Sequence, residues 1–143
     1  MKKIGIIGTR KRDSNKDFEL CEKAFLSIYE EGDELVSGGC HYGGDKFCEI
    51  IASRYNIPIK IYPAEWDKYG KRAGFIRNTY IAQDSDVIIA LLPNDGSHSN
   101  GTEDTIRKAV EKNAKIILVD KIETIGIIGT DDQKSNFDPF NIG

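Results

Sequence analysis

The sequence predicts an α/β three-layer sandwich, with helices covering both faces of a parallel sheet of five strands, or six if the C-terminal segment adds one. Short runs rich in Ile and Val alternate along the chain with segments whose apolar residues recur at helical spacing. The runs are apolar almost throughout, as strands covered on both faces must be; Val87 to Leu92 and Ile116 to Val119 are the clearest. Glycines gather in the connections that follow these runs, where the chain passes from strand to helix.

In chain order the strand candidates are Lys3 to Ile7, Glu34 to Val36, Ile57 to Tyr62, Asp86 to Leu92 and Lys115 to Val119. Helices are predicted where Phe18, Cys21, Phe25 and Ile28 share a face, then Phe47, Ile50 and Ile51, then Ile76 to Gln83, then Ile106, Ala109 and Val110. This alternation implies right-handed βαβ units and a Rossmann-like sandwich, whose ligand site lies outside the carboxyl ends of the strands, near the switch in strand order. The domain is read as residues 1–120. Residues 121–143 are read as an extension, either a short strand or a mobile tail. The hexapeptide Ile4 to Thr9 recurs there as Ile125 to Thr130, with unrelated flanks, and Asp131 to Asn136 is polar.

Composition narrows the function classes. A chain of 143 residues with 39% hydrophobic and 30% charged residues suits one globular domain, and no run approaches the roughly 18 apolar residues of a membrane helix. A net charge of −3 with interspersed signs offers no global attraction for nucleic acid or anionic membranes. Lys2 and Lys3 precede an apolar stretch too short for a secretion signal, so a cytoplasmic protein is expected. The three cysteines lack CxxC spacing and the two histidines lie far apart, so neither a metal nor another cofactor is expected. Cys21 reads as a buried thiol. Cys40 and His41, being adjacent, are a poor nucleophile and base pair.

Four strand-to-helix connections carry the candidate site. Gly8, Thr9 and Arg10 follow the first strand, where a small residue lets the backbone approach a ligand and an arginine can grip phosphate; the competing account is a turn with a solvated Arg10–Lys11–Arg12 cluster. Ser37, Gly38 and Gly39 open a second loop that places four glycines within seven residues, ending in Gly43 and Gly44 ahead of a helix. Exposed N–H groups and the positive helix end suit a phosphate there, with Asp45 as the expected N-cap. The loop has neither Walker nor GxGxxG order. The third connection, Pro63 to Asn78, offers Trp66 or Tyr69 for base stacking, Lys68, Lys71 and Arg72 for phosphates, and Arg77 and Asn78 at the next helix; Trp66 packed on the sheet edge is the alternative. In the fourth, Gly101 and Thr102 lead a helix, with Thr102 as expected N-cap and Glu103 and Asp104 in its first turn. A carboxylate beside a phosphate cradle repels phosphate, so a functional one holds or acts on the sugar.

Gly8-Thr9-Arg10, Ser37-Gly38-Gly39, Ala73-Gly74-Phe75-Ile76-Arg77-Asn78 and Asn100-Gly101-Thr102, in this order, resemble the SLOG superfamily of Rossmann-like nucleotide-binding proteins, nearest its YspA-like branch. The likeness covers about Met1 to Val119 and is most specific over Pro63 to Gly74. It implies loops that hold a nucleotide or nucleotide derivative, in a sensor or processing domain, and a homodimer. The superfamily includes the Lonely-guy phosphoribohydrolases, which cut the N-glycosidic bond of nucleoside monophosphates with an arginine and the glutamate of a Pro-Gly-Gly-x-Gly-Thr-x-Glu motif. Arg77 resembles that arginine. The motif is altered here: a longer insert, Asn94 to Asn100, follows Pro93, and the glutamate's place falls on Asp104, with Glu103 one residue early.

The primary expectation is therefore a small-molecule nucleotide bound by Gly8, Thr9, Arg10, Ser37, Gly38, Gly39, Gly43, Asp45, Trp66, Arg77, Asn78, Gly101 and Thr102. The alternative is a nucleoside monophosphate N-glycosidase using Arg77 with Glu103 or Asp104, where a methylene of lost reach would cost catalysis. A third reading, single-stranded DNA binding, follows from DNA-processing protein A sharing the superfamily and from the Lys68–Lys71–Arg72 cluster; the charge balance opposes it.

Overall fold

The computed structural model describes residues 1–119 and the backbone of a strand at 125–128. The element order is β1 (Lys3–Gly8), α1 (Asn15–Ile28), β2 (Glu34–Ser37), α2 (Gly44–Tyr55), β3 (Ile59–Ile61), the one-turn α3 (Trp66–Tyr69), a 3-10 turn (Gly70–Arg72), α4 (Ala73–Asp84), β4 (Val87–Leu91), α5 (Asn100–Glu111), β5 (Lys115–Val119) and β6 (Ile125–Ile128). The sheet runs β3-β2-β1-β4-β5-β6. Its first five strands are parallel, and the register sets Gly5 beside both Val36 and Ile88. The architecture is a Rossmann-like sandwich, as expected.

The sixth strand departs from the expected parallel order. β6 pairs antiparallel with β5, with Ile127 opposite Ile117. Only five residues separate Val119 from Ile125, and a parallel return needs a crossover of a dozen or more. The polar run Asp131 to Asn136 lies outside the described residues.

Two clusters form the core, one on each face. Leu20, Cys21, Ala24 and Phe25 of α1 join Phe47, Cys48 and Ile51 of α2 against Ile4, Ile6, Leu35 and Ile89. On the opposite face Ile81 and Ala82 of α4 and Ile106, Ala109 and Val110 of α5 meet Ile7, Val36, Ile88 and Ile116. Every residue of β4 is buried, so its continuous apolar run is accounted for. Ile50 is a correction: it is 37% exposed, and Cys48 takes the inward position on α2.

Local chemistry sets the helix ends. Ser14 caps α1 in a reciprocal box with Asp17, and Asn56 closes α2 in the left-handed region at φ 54°. The connection expected between Pro63 and Asn78 is mostly helical: α3 and the 3-10 turn lead straight into α4, which begins three residues before Ile76. Gly70, at φ 60°, separates the two helical axes. Among the described residues no helix is long and apolar enough to cross a membrane.

Candidate functional site

A cleft of about 390 Å³ opens at the carboxyl end of β1, at the switch in strand order between β1 and β4. Gly8, Thr9, Arg10 and Lys11 form one wall. Cys40 and Asp45 form the floor beside α2, Arg77 and Asn78 come from α4, and Ser99, Gly101, Thr102 and Thr105 come from the start of α5. Eight of the residues expected from sequence are thus brought together: Gly8, Thr9, Arg10, Asp45, Arg77, Asn78, Gly101 and Thr102. A second cleft of about 390 Å³ adjoins it, sharing Arg10, Cys40 and Arg77, and adds Gly38, Gly39 and Trp66.

The backbone packing that builds the cleft explains several glycines. Gly43 sits at φ 69°, and a Cβ there would approach the Thr9 carbonyl oxygen to 2.5 Å; a Cβ on Gly44 would overlap the Ile7 carbonyl carbon. Helix α2 therefore starts in direct backbone contact with the end of β1, as close helix–strand packing requires. Gly43 consequently serves this packing and lines neither cleft. Ser37 is fully buried beneath the loop, accepting the Gly39 N–H at 3.2 Å and donating to the Asp45 carbonyl at 3.3 Å. Its role is to shape the loop.

Two expected caps are corrected. The N-cap of α2 is Gly43, not Asp45, and the N-cap of α5 is Ser99, not Thr102. Asp45 lies inside α2's first turn, where its Oδ2 reaches back to accept the Cys40 N–H at 3.1 Å. The Gly43 N–H is taken instead by Asp13, at 2.8 Å, and Lys46 pairs with the same carboxylate at 2.6 Å. Ser99 makes no side-chain cap bond; its hydroxyl donates to Thr102 at 3.1 Å. The Asn100, Gly101 and Thr102 N–H groups consequently have no partner among the described residues. Ser99, Thr102 and Thr105, three apart on one face, place hydroxyls around them. That spacing was a signal present in the sequence for Ser99 and Thr105.

Arg77 is held as a fork. Its Nη1 donates to the Gly38 carbonyl at 2.6 Å and its Nε to Asn78 Oδ1 at 3.1 Å, while Nη2 makes no hydrogen bond among the described residues. Asn78 is buried and ties this fork to α5, donating to the Gly101 carbonyl at 3.2 Å and to Asp104 at 3.3 Å. Asp104 in turn pairs with Lys108 at 2.8 Å. Glu103 is 6% exposed and bonds His98 Nδ1 at 2.8 Å, bracing the loop after β4. Neither carboxylate lines the cleft.

Among the described residues the cleft's charge is locally reversed against the chain's net −3: Arg10, Lys11 and Arg77 line it with a single carboxylate, Asp45. Lys11 is steadied by Ser97 at 2.7 Å. Burial pushes the Asp45 carboxyl above its ordinary value, opposed by the Cys40 N–H, the Arg77 charge and the Gly38 N–H. Arg12, which the competing account set in a solvated cluster, is instead buried; it pairs with Asp17 at 3.0 Å and caps the Val119 carbonyl at 2.5 Å. Cys21 and Cys48 are buried with their thiols pushed well up by desolvation, as inert core thiols.

Trp66 is 58% exposed on the rim of the second cleft, with its ring over Gly74, where a Cβ would stand 3.6 Å from Cη2. Tyr69 faces a separate hollow with Tyr62 and Tyr80. Lys68 lies over the Tyr69 ring at 5.0 Å, and Lys71 and Arg72 occupy the exposed 3-10 turn, away from the cleft.

Comparison with protein-family models, curated proteins and solved structures returns no match for this chain. The resemblance to the SLOG superfamily rests on the residues quoted for it alone.

Proposed function

We propose that the chain binds a phosphate-bearing nucleotide or nucleotide derivative in the β1/β4 cleft. One observation carries this reading: the unpartnered first-turn N–H groups of α5 share a cleft with the free Nη2 of Arg77 and with Arg10 and Lys11. Backbone donors at a positive helix end together with a guanidinium held in place with one nitrogen to spare suit a phosphate. Trp66 offers a ring to a base from the neighbouring cleft. Binding is favoured over N-glycoside hydrolysis because the carboxylates of Glu103 and Asp104 are engaged by His98, Asn78 and Lys108. Single-stranded DNA binding draws no support from Lys68, Lys71 and Arg72, none of which lines the cleft.

Thermal melts with AMP, ADP-ribose and cyclic nucleotides test the reading. A ligand at about ten times its Kd stabilises by roughly 1.4 kcal/mol, a shift of several degrees. Arg77→Ala abolishes the shift. Failure of every adenine and guanine nucleotide to raise the melting temperature at millimolar concentration would falsify the proposal. Free base appearing in chromatography of AMP or GMP incubations would instead restore the hydrolase reading.

A further inference from the structure

Among the described residues, Asp45 is the one acidic residue lining a cleft that holds three cationic side chains. An ionised carboxylate only accepts hydrogen bonds, so it cannot pair with phosphate and repels it. A ligand that fits must present a donor at this point. Oδ2 of Asp45 accepts the Cys40 N–H at 3.1 Å and the Gly38 N–H also bears on the carboxylate, whose two oxygens have lone pairs beyond those two donors.

Geometry selects which donor. A Cβ built on Gly38 would lie 2.6 Å from Arg77 Nη1 and 2.8 Å from Asp45 Oδ2, so the carboxylate and the guanidinium flank the same missing side chain. The group that Asp45 meets is therefore close along the ligand to the group that Arg77 meets. In a nucleotide the phosphate is followed within a few bonds by the sugar hydroxyls, and the amino groups of the base come last. Trp66 and Tyr42, both exposed rings, line the adjoining cleft, at the side left for the base.

We infer that Asp45 reads the sugar: its carboxylate accepts a hydrogen bond from a ribose hydroxyl of the ligand, so the cleft prefers ribonucleotides to their deoxy counterparts. The inference rests on nucleotide binding at this cleft and names the ligand class within it. Burial strengthens the selection, because a carboxylate that has lost water and meets no hydroxyl is left with only its two backbone donors. Sites built to bond a hydroxyl reject analogues lacking it for this reason. A side chain at Gly38 would crowd both Asp45 and Arg77, so glycine there preserves their arrangement.

The experiment is calorimetric titration of the full chain with AMP and GMP and with their 2′-deoxy and 3′-deoxy forms. It is repeated for Asp45→Asn and Asp45→Ala, with inorganic phosphate binding and a thermal melt confirming that each variant is folded. Wild type is expected to bind one of the deoxy forms about tenfold more weakly, the scale of a lost charge-assisted hydrogen bond. That ratio falls to about two or less in Asp45→Ala and to an intermediate value in Asp45→Asn, with deoxynucleotide affinity retained. Equal binding of ribo and deoxy forms by wild type overturns the inference alone, as does discrimination that survives in Asp45→Ala. No binding of any nucleotide by wild type overturns both this inference and the function on which it rests.

Discussion

Replacing Asn78 by alanine removes the link between the Arg77 fork and helix α5, and the structure sets the size of the effect. Three hydrogen bonds are lost: from Arg77 Nε at 3.1 Å, to the Gly101 carbonyl at 3.2 Å and to Asp104 at 3.3 Å. None of the partners is orphaned. Gly101 still accepts from Thr105 at 3.0 Å, Asp104 keeps Lys108 at 2.8 Å, and half-buried Arg77 can turn Nε to water. The cost therefore falls near the lower end for three buried bonds, about 2 kcal/mol. For a domain of this size that lowers the melting temperature by roughly 6–10 °C. Asn78→Asp separates the terms. It keeps an acceptor for Arg77 but sets a second carboxylate beside Asp104, so one carboxyl of the pair titrates above its ordinary value. A raised folded value gives stability that is present in acid and lost as pH rises through it. Asn78→Asp should thus melt below Asn78→Ala at pH 8 and approach it at pH 5. Differential scanning fluorimetry of both variants across pH checks this. An Asn78→Ala melt within 1 °C of wild type, or no pH dependence in the Asp variant, would refute the network's role.

Glycines in the site divide by the space around them. Gly44→Ala drives a Cβ into the Ile7 backbone and should cost about 3 kcal/mol or more, read as loss of soluble protein or of the cooperative melt. Gly101→Ala meets only Asn78 Nδ2 at 3.9 Å and should be neutral or stabilising by up to about 1 kcal/mol in urea denaturation. Asp45→Asn should raise the melting temperature at pH 7.5, with the gain shrinking towards pH 4. The native carboxyl is pushed above its ordinary 3.8 by burial, so the stability it permits is lost as pH rises through the folded value. Asp13 has the opposite sign: Lys46 and the Gly43 N–H hold its carboxyl below 3.8, so its contribution is present at neutral pH and lost in acid. Asp13→Asn should accordingly destabilise at pH 7 and match wild type at pH 2 in a melt series.

The parallel sheet was legible because both of its signals are local. β5 begins at Lys115, one residue before the apolar run, and ends with it at Val119, and the Phe18–Cys21–Phe25–Ile28 spacing falls within α1. The candidate site was legible as four loops, since strand-to-helix connections in such a sheet share one edge. What misled was the cause attached to a residue. Glycine at 43 looked like a phosphate cradle, but it is required by the approach of α2 to Thr9, a contact between residues distant in sequence. Likewise Glu103 and Asp104 looked like site carboxylates; their partners, His98, Asn78 and Lys108, become visible only when the helices pack.

The repeated hexapeptide draws the boundary between the two kinds of information. Ile4-Gly5-Ile6-Ile7 and Ile125-Gly126-Ile127-Ile128 are identical, and both are strands, as their apolar, β-branched composition dictates. One is central and parallel to its neighbours; the other lies antiparallel beside β5. By itself, then, the sequence determined which segments extend, which coil and which loops contain glycine, because those choices depend on neighbours within a few residues. Strand direction, the duties of Gly43 and Gly44, and the choice of Asp45 as the cleft's carboxylate were decided by tertiary structure. They depend on connection length and on backbone approaches that no local pattern encodes.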